Sequence, residues 1–528
     1  MLDLQAFVAV ALALGATFLI ANPDILRRPA APLPPGPKGT LFFGNLFQIP
    51  PKRQYLQFAK WKEDYGDVMK VKLLRKTFII LNSRQAVQAL FVKRSNIYSD
   101  RPALVIFEKY SGWNWSLPGL HYGDEMMLHR RLLNSGLSTT ACKGYFNDML
   151  TAALKLALKA GNNSETWAEA THLMVAGNIL KMTYGYDVQE KNDPWMDRAE
   201  KILHLIQDLG PIGTHPADVF PWLANLPARF FGQKFANNMH QLRQIVTAVW
   251  TDPYNDVKQT LDSGKERPCF TADMISQYCA EDGKVEHEHA IRATAATNYT
   301  VGVETVESSL NTFAIAMMLN PDVQKRAQAE IDDYFHGQRL PTLEDRGKLP
   351  YVEAVMWEVL RWQPATPMAV ARMMAVDDVY NGFLIPKGKQ DFRAAVMANS
   401  WQCLHDPTDF PNPHAFIPDR FIPTSPFNPN IDKSISPPDP RDFAFGYGRR
   451  ACVGRPFAEA TLWMGIAMLL ATVNFEVPKD EFGKDIFPNM EYESGVAVQF
   501  PKPFKTNIKF RSKVDQDLIQ ETLDSMGS

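Results

Sequence analysis

Cys452 is the residue of this 528-residue chain best placed to do chemistry. It sits in Phe445-Gly446-Tyr447-Gly448-Arg449-Arg450-Ala451-Cys452-Val453-Gly454, with two glycines upstream, one downstream and an apolar helical run just after. Glycines let a backbone turn tightly and approach a flat partner closely. Free amides can donate to a sulfur, the start of a helix favours negative charge, and two adjacent arginines favour thiolate over thiol. The loop therefore suits a buried thiolate acting as a metal ligand or a nucleophile. A nucleophile needs a histidine base and an orienting partner, and no local pattern supplies one. A zinc site needs clustered ligands, and Cys269, Cys279, His287 and His289 have the spacing C-x9-C-x7-H-x-H, unlike structural zinc sites. One thiolate ligand to a self-sufficient planar cofactor remains, which describes haem with a cysteine axial ligand. Cys142, Cys269, Cys279 and Cys403 read as small buried hydrophobes.

Two patterns upstream carry weaker signals. Glu358 and Arg361 stand at i and i+3 on one helical face, where most such pairs are solvated bridges of little energetic worth. Val301-Gly302-Val303-Glu304-Thr305 sets an acid and a hydroxyl inside an apolar helix, where a threonine commonly bonds back to a carbonyl. Together with F-x-x-G-x-R-x-C-x-G, met by Phe445, Gly448, Arg450, Cys452 and Gly454, these residues give the chain its likeness to a known family. It resembles the cytochrome P-450 haem-thiolate monooxygenases, in the style of the fungal microsomal members, over roughly residues 34 to 510.

That resemblance implies the cytochrome P-450 fold, mainly α with small β-sheets around a long central helix. It implies heme, iron protoporphyrin IX, with Cys452 as the axial metal ligand and Phe445, Gly448, Arg450 and Gly454 forming its loop. Glu358, Arg361 and Arg420, the last from Pro418-Asp419-Arg420-Phe421, become a buried structural triad behind the cysteine loop. In the catalytic segment Gly302 is expected to leave room for dioxygen, while Glu304 and Thr305 orient water and deliver protons. Val301 replaces the family's alanine and narrows the pocket above the iron; Glu304 replaces an aspartate and keeps the acid. Arg130 aligns with a propionate-binding arginine, whose usual tryptophan companion is here Met126. Arg372 stands at the position of a propionate-binding histidine, and arginine is a bidentate anion partner. Phe107, Trp113, Asn298, Val301, Pro367, Met368 and Val496 are the substrate-contact candidates.

These side chains need a scaffold. Val68 to Leu73 and Thr77 to Leu81 read as short strands after a helix. A proline-free helical run from about His287 to Leu319 would be roughly 48 Å long, enough to cross a large domain. Asn320 is expected to cap the next helix, with Pro321 in its first position. Another helix spans Pro350 to Trp362, and prolines between Pro411 and Pro440 force a long irregular meander. A helix from Arg455 to Val473 follows the cysteine. The apolar loop with Phe220, Trp222, Leu223, Phe230 and Phe231 reads equally as a packed surface loop or a membrane-touching patch.

Composition bounds the rest. Hydrophobic residues are 45 % and charged residues 22 %, which excludes wholesale disorder, and a net charge of -2 argues against a nucleic-acid binder. Leu4 to Ala21 carries no charged side chain and is long enough to span a bilayer as a helix. Arg27 and Arg28 follow it, which places the body in the cytosol. The organisation expected is an anchor at 1–22, a proline-rich hinge at 23–39, a haem domain at 40–511 and a mobile polar tail at 512–528. No nicotinamide or phosphate-binding motif is present. Electrons must come from a partner, which the resemblance identifies as an NADPH-cytochrome P-450 reductase at the endoplasmic reticulum membrane, with cytochrome b5 as a further donor. His129, Arg130, Arg131 and Arg449 would give it a basic docking face. The expected reaction is oxidation of an apolar small molecule, tailoring a terpenoid, polyketide or indole secondary metabolite. The rivals are a haem-thiolate isomerase, dehydratase or peroxygenase, whose relatives typically lose the acid–threonine pair, and a catalytically silent haem-binding protein.

Overall fold

The structure, a computed structural model, describes residues 31–74, 76–207, 215–219, 223, 225–388, 394–423, 437–494 and 497–527. The expected anchor at 1–22, the first part of the hinge, Phe220, Trp222 and Val496 lie outside these residues. No helix among the described residues is long and apolar enough to cross a membrane.

Helices dominate, as the periodicity predicts. The principal ones are α1 (Gln54–Tyr65), α2 (Asp124–Leu137), α3 (Phe146–Asn162), α4 (Trp167–Tyr184), α5 (Gln233–Asp262), α6 (Glu288–Leu319), α7 (Pro321–Phe335), α8 (Pro350–Trp362), α9 (Arg455–Thr472) and α10 (Lys513–Gly527). Helix α6 is apolar on most of its circumference because α4, α9, α2 and α5 pack around it and bury most of its residues. Helix α9 is buried from Ala460 to Thr472, which plants the end of the cysteine loop in the core. Prolines frame α8: Pro350 is its first residue, where a missing N–H costs nothing, and Pro364 lies just past its end.

The strands make four small sheets among the described residues. Val68–Leu73 (β1) and Lys76–Leu81 (β2) pair antiparallel with Val68 opposite Leu81, one residue more than the sequence suggests for β2. Asp378–Tyr380 (β3) and Phe383–Ile385 (β4) form a hairpin, and Ala394–Ala398 (β5) joins β2 in parallel with Thr77 opposite Ala394. Val473–Glu476 (β6) pairs with Asn507–Phe510 (β9), and Tyr492–Ser494 (β7) with Gln499–Pro501 (β8).

Two expectations need correction. The Asn320 side chain does not cap α7; its Nδ2 donates to the Ala316 carbonyl at 2.9 Å, closing α6 instead. Residues 513–527 are not a free tail. They form α10, which packs on α3 and α9 with Ile519 fully buried and Leu518 and Leu523 against the main core. Of the apolar loop, Phe230 is 65 % exposed, while Phe231 packs edge-on among Tyr110, His215 and Phe235.

Candidate active site

Two glycines shape the cysteine loop. Gly446 and Gly448 hold φ at +74° and +53°, a region that L side chains rarely enter. A Cβ on Gly448 would lie 2.3 Å from the Phe91 carbonyl oxygen, so no other residue fits there. The loop then folds back, with the Cys452 amide donating to the Phe445 carbonyl at 2.8 Å. Arg130, from α2, ties the loop to the body by donating from Nη1 to the Ala451 carbonyl at 2.9 Å. Burial pushes the Cys452 thiol up, against the opposing pull of the Gly454 and Arg455 amides and the Arg130 and Arg455 charges. Those four groups all favour a thiolate; the Gly454 and Arg455 groups come from the start of α9, as the sequence suggests, and Arg130 from α2.

Cys452 is exposed although α9 behind it is buried. Val301 is 38 % exposed in the middle of α6, where its neighbours Val303 and Val306 are buried. Both side chains are thus accessible although the helices around them are packed. Thr305, one turn on from Val301, shares its helical face. Its hydroxyl donates to the Gly302 carbonyl at 3.4 Å, a long bond that leaves the oxygen free to accept. Glu304 is pushed up to about 7, first by burial and then by the charge of Glu307. A carboxyl so placed is poised to give or take a proton near neutrality.

A Cβ on Gly302 would meet Ile179 Cδ1 of α4 at 2.9 Å, so this glycine lets α6 and α4 approach closely.

Four arginines converge at the loop's edge. Arg372 is buried and donates to the carbonyls of Tyr447 at 2.7 Å and of Phe91 and Tyr98 at 3.4 Å. Its Nε has no partner among the described residues. Burial lowers it to about 9, despite the Tyr447 side chain and with help from the Arg450 and Arg130 charges. Arg450 clamps the loop before α2 through Nε to Ser99 at 2.7 Å and Nη2 to Leu120 at 2.6 Å, and burial lowers it to about 10. Arg101, which sequence reasoning missed, is buried and donates to Pro118, Val370 and Ala371 carbonyls at 2.9, 2.7 and 2.8 Å. Burial holds it well below the usual guanidinium range, and the charges of Arg450 and Arg372 push the same way. Asp100 is the acid that opposes this at Arg101 and Arg450. A buried surplus of cation calls for an anion, and an orphaned donor on Arg372 calls for an acceptor. The donor set therefore fits a flat, dianionic iron porphyrin with a sulfur ligand.

The remaining candidates divide. The Phe107 and Trp113 rings meet at a tilt, 6.0 Å between centroids, with the Trp113 Nε1 unpaired among the described residues. Asn298, one turn before Val301, has a buried Nδ2 without a partner among the described residues. Pro367 is buried and accepts from the Trp401 amide at 2.9 Å, and Met368 packs into the Phe58, Met69 and Ile80 cluster. These two are core residues first. Met126 is fully buried. His129 also is fully buried, with burial and then His289 lowering it to about 4, so it is a neutral core residue and not part of a basic docking face. Arg131 and Arg449 are exposed. Glu358, Arg361 and Arg420 are buried together behind the loop.

Comparison with known proteins agrees with this arrangement. The family model for cytochrome P450 matches residues 34–508. A cytochrome P450 monooxygenase of Armillaria gallica is 35 % identical over 94 % of this chain and 95 % of its own length. Cytochrome P450 monooxygenase 208 of Postia placenta is 36 % identical over 92 % of both chains. Cytochrome P450 monooxygenase claR of Ampulloclitocybe clavipes is 34 % identical over 97 % of this chain and 92 % of its own.

Proposed function

This chain belongs to the cytochrome P450 family and is a haem-thiolate monooxygenase, and from that premise we propose that it oxidises an apolar metabolite of terpenoid, polyketide or indole type. The reading is supported by one observation: Glu304, pushed up to about 7, adjoins Thr305 on the face of α6 that carries the exposed Val301. A redox partner and a small-molecule substrate come with the family.

When bound, the haem supplies dioxygen activation, with thiolate electron density favouring O–O cleavage. Cys452 would hold the iron, and the Gly454 and Arg455 amides favour its anion against the opposing effect of burial. Arg130, Arg372 and Arg450 balance the propionate charge, and Arg101 adds to the field that they make. Glu304 and Thr305 hold a water and move its proton inward, the carboxyl acting as the donor and the hydroxyl as the relay. Phe107, Trp113, Asn298 and Val301 set the shape of the substrate space, and Val301 restricts it above the iron. Arg131 and Arg449 are the cations available to an acidic reductase, with cytochrome b5 as a second donor. The apolar segment within 1–22 anchors the chain in the endoplasmic reticulum membrane with the body cytosolic, a reading supported by Arg27 and Arg28 after it.

The test is coexpression with a reductase in a host fed a panel of apolar metabolites, read by mass spectrometry for a gain of one oxygen atom. NADPH and dioxygen consumed together with that gain supports the reading. Conversion with peroxide alone favours a peroxygenase, an isomeric or dehydrated product favours the rearranging enzymes, and no oxygen uptake with any ligand favours a silent haem binder.

A further inference from the structure

Three tryptophans from two parts of the chain stand ring to ring. Trp113 and Trp115 lie in the loop before α2, and Trp250 lies on α5. The centroids of Trp113 and Trp115 are 6.4 Å apart, and Trp115 stacks on Trp250 at 6.4 Å with 13° between the planes. The row continues at both ends: Phe107 meets Trp113 at 6.0 Å, and His289, in the first turn of α6, meets Trp250 edge-on at 5.2 Å. Aromatic pairs at such separations are in contact. The inner end is held beside the cysteine loop, because Leu117, two residues past Trp115, accepts from Arg450 Nη1 and donates to Thr297 Oγ1 of α6, both at 3.4 Å. The outer end reaches solvent, because His289 is exposed and lines an open recess of about 620 Å³ with Asp124, Glu125, Met127 and Arg131. Trp113 Nε1 and Trp250 Nε1 are buried with no hydrogen-bond partner among the described residues. Buried donors are seldom left so, and two in one row call for a reason.

We propose that Trp113, Trp115 and Trp250 form an electron path from the His289 recess to the haem side, which drains oxidising power that no substrate has taken. The inference rests on membership of the haem-thiolate family and not on the class of substrate. In one passage an inner indole, Trp113 or Trp115, gives up one electron toward the haem side and is left as a cation radical. Trp250 refills it. A small soluble one-electron reductant of the ascorbate kind, arriving at the recess, refills Trp250 and leaves oxidised by one electron. Two passages, with two protons from solvent, turn one undelivered oxygen atom into water, and every indole ends reduced. An indole Nε1 is a donor only, and at Trp113 and Trp250 it has no acceptor, so the oxidised ring keeps its proton and an electron alone restores it.

Hydrogen peroxide added to the haem-loaded protein, without substrate or reductase, tests the path away from turnover. Freeze-quenched electron paramagnetic resonance should show an indole radical in the parent, and ascorbate should remove it. W250F keeps a ring in the stack but not one that is readily oxidised. In ascorbate its radical should outlast that of the parent severalfold, and peptide mass spectrometry should find more oxidised product at Trp113 and Trp115. W115F breaks the row at a second point and should prolong the radical at Trp113 in the same way, while W250Y, oxidisable again, should restore much of the parent behaviour. No indole radical in the parent, or the same lifetime and oxidation pattern in W250F and W115F as in the parent, would overturn the proposal and leave the rings as packing alone. The carbon-monoxide difference spectrum of the same samples, taken before peroxide, separates that outcome from a failure of haem binding.

Discussion

Arg361 grips Glu358 with both in full burial: Nε lies 2.7 Å from Oε2 and Nη2 lies 2.8 Å from Oε1, at 0 % exposure on each side. The pair is also a clamp on the meander. Arg361 donates to the carbonyls of Leu404, Pro413 and Ala415 at 3.1, 2.7 and 3.1 Å, and Glu358 Oε1 accepts the Ile417 amide at 2.8 Å. Arg420 adds Nε to Glu358 Oε1 at 3.4 Å and Nη2 to the Asn412 carbonyl at 2.8 Å. An irregular segment that cannot satisfy its own backbone is thus satisfied by guanidinium groups.

Replacing Glu358 by alanine leaves two buried cations without their anion, which costs about 3–5 kcal/mol. The variant E358A should therefore yield little folded protein and no stable haem complex. R361K is expected to be nearly as damaging, because an ammonium cannot span a bidentate pair and three carbonyls. Thermal unfolding and haem content per chain check both, and an R361K variant as stable as the parent would contradict this account.

How far the sequence reveals such features depends on the span of chain over which they are built. Glu358 and Arg361 are three residues apart on one helix, so spacing alone pairs them; Arg420 is distant in sequence, and only family likeness assigns it. The strands β1 and β2 and the helices α6 and α8 follow from periodicity and proline placement. Arg101 escaped notice because an arginine between Asp100 and Pro102 reads as a solvated turn, and only tertiary contact makes it a buried cation. The side of α6 that Gly302 occupies could not be read from an apolar helix buried on nearly all faces, since no polar stripe fixes its rotation. For α10, Val514, Leu518, Ile519 and Leu523 do carry a helical spacing, which charged neighbours obscured.

Cys452→Ala should fold and lose the iron ligand. Burial of α9 does not depend on the sulfur, so the circular dichroism of the variant is expected to match that of the parent. Haem retention and the long-wavelength carbon-monoxide band should vanish together. Survival of both would mean that sulfur comes from another residue, although Cys142, Cys269 and Cys403 are buried and Cys279 lies away from the loop, at the end of the helix Phe270–Tyr278.

Gly302→Ala separates helix packing from oxygen chemistry. The added Cβ meets Ile179 Cδ1 at 2.9 Å, the far end of a flexible side chain, with its next contact at 3.8 Å. That crowding is opposed by a gain of about 1 kcal/mol in helix propensity for alanine over glycine. Net stability should move by less than about 1 kcal/mol, and the I179V/G302A double variant should be the more stable of the two. Peroxide released per NADPH is expected to stay at the parent level, in contrast to T305A, where it should rise severalfold. A G302A variant that uncouples as T305A does would place the glycine on the oxygen side.

The pH dependence of coupling should carry the signature of Glu304. Its folded value of about 7 lies above the ordinary carboxyl range because burial, and then Glu307, disfavour the anion. The protonated form is the donor, so product formed per NADPH should decline as pH rises through about 7. In E304Q this limb should disappear and the remaining coupling be lower by about 100-fold. A limb of the same midpoint in E304Q would assign it to another group.

His129 should make the fold acid-sensitive. The ring is fully buried on α2, and neither Nδ1 nor Nε2 has a hydrogen-bond partner among the described residues. Burial, then His289, lowers it to about 4, whereas an unfolded histidine titrates near about 6.5. Between those values the unfolded chain binds a proton that the folded chain refuses, so acid favours unfolding. The stability that His129 leaves intact above about 6.5 is lost progressively as pH falls toward the folded value, by roughly 2 kcal/mol between pH 7 and 5. His129→Leu removes that term and the unpaired donor and acceptor with it, and a leucine fills most of the same space. Urea titrations of parent and variant at pH 7 and 5 isolate the effect, because every other titrating group cancels in the difference. The variant should be the equal of the parent or better at pH 7 and clearly more stable at pH 5; parallel losses in the two proteins would show that the histidine finds a proton without unfolding.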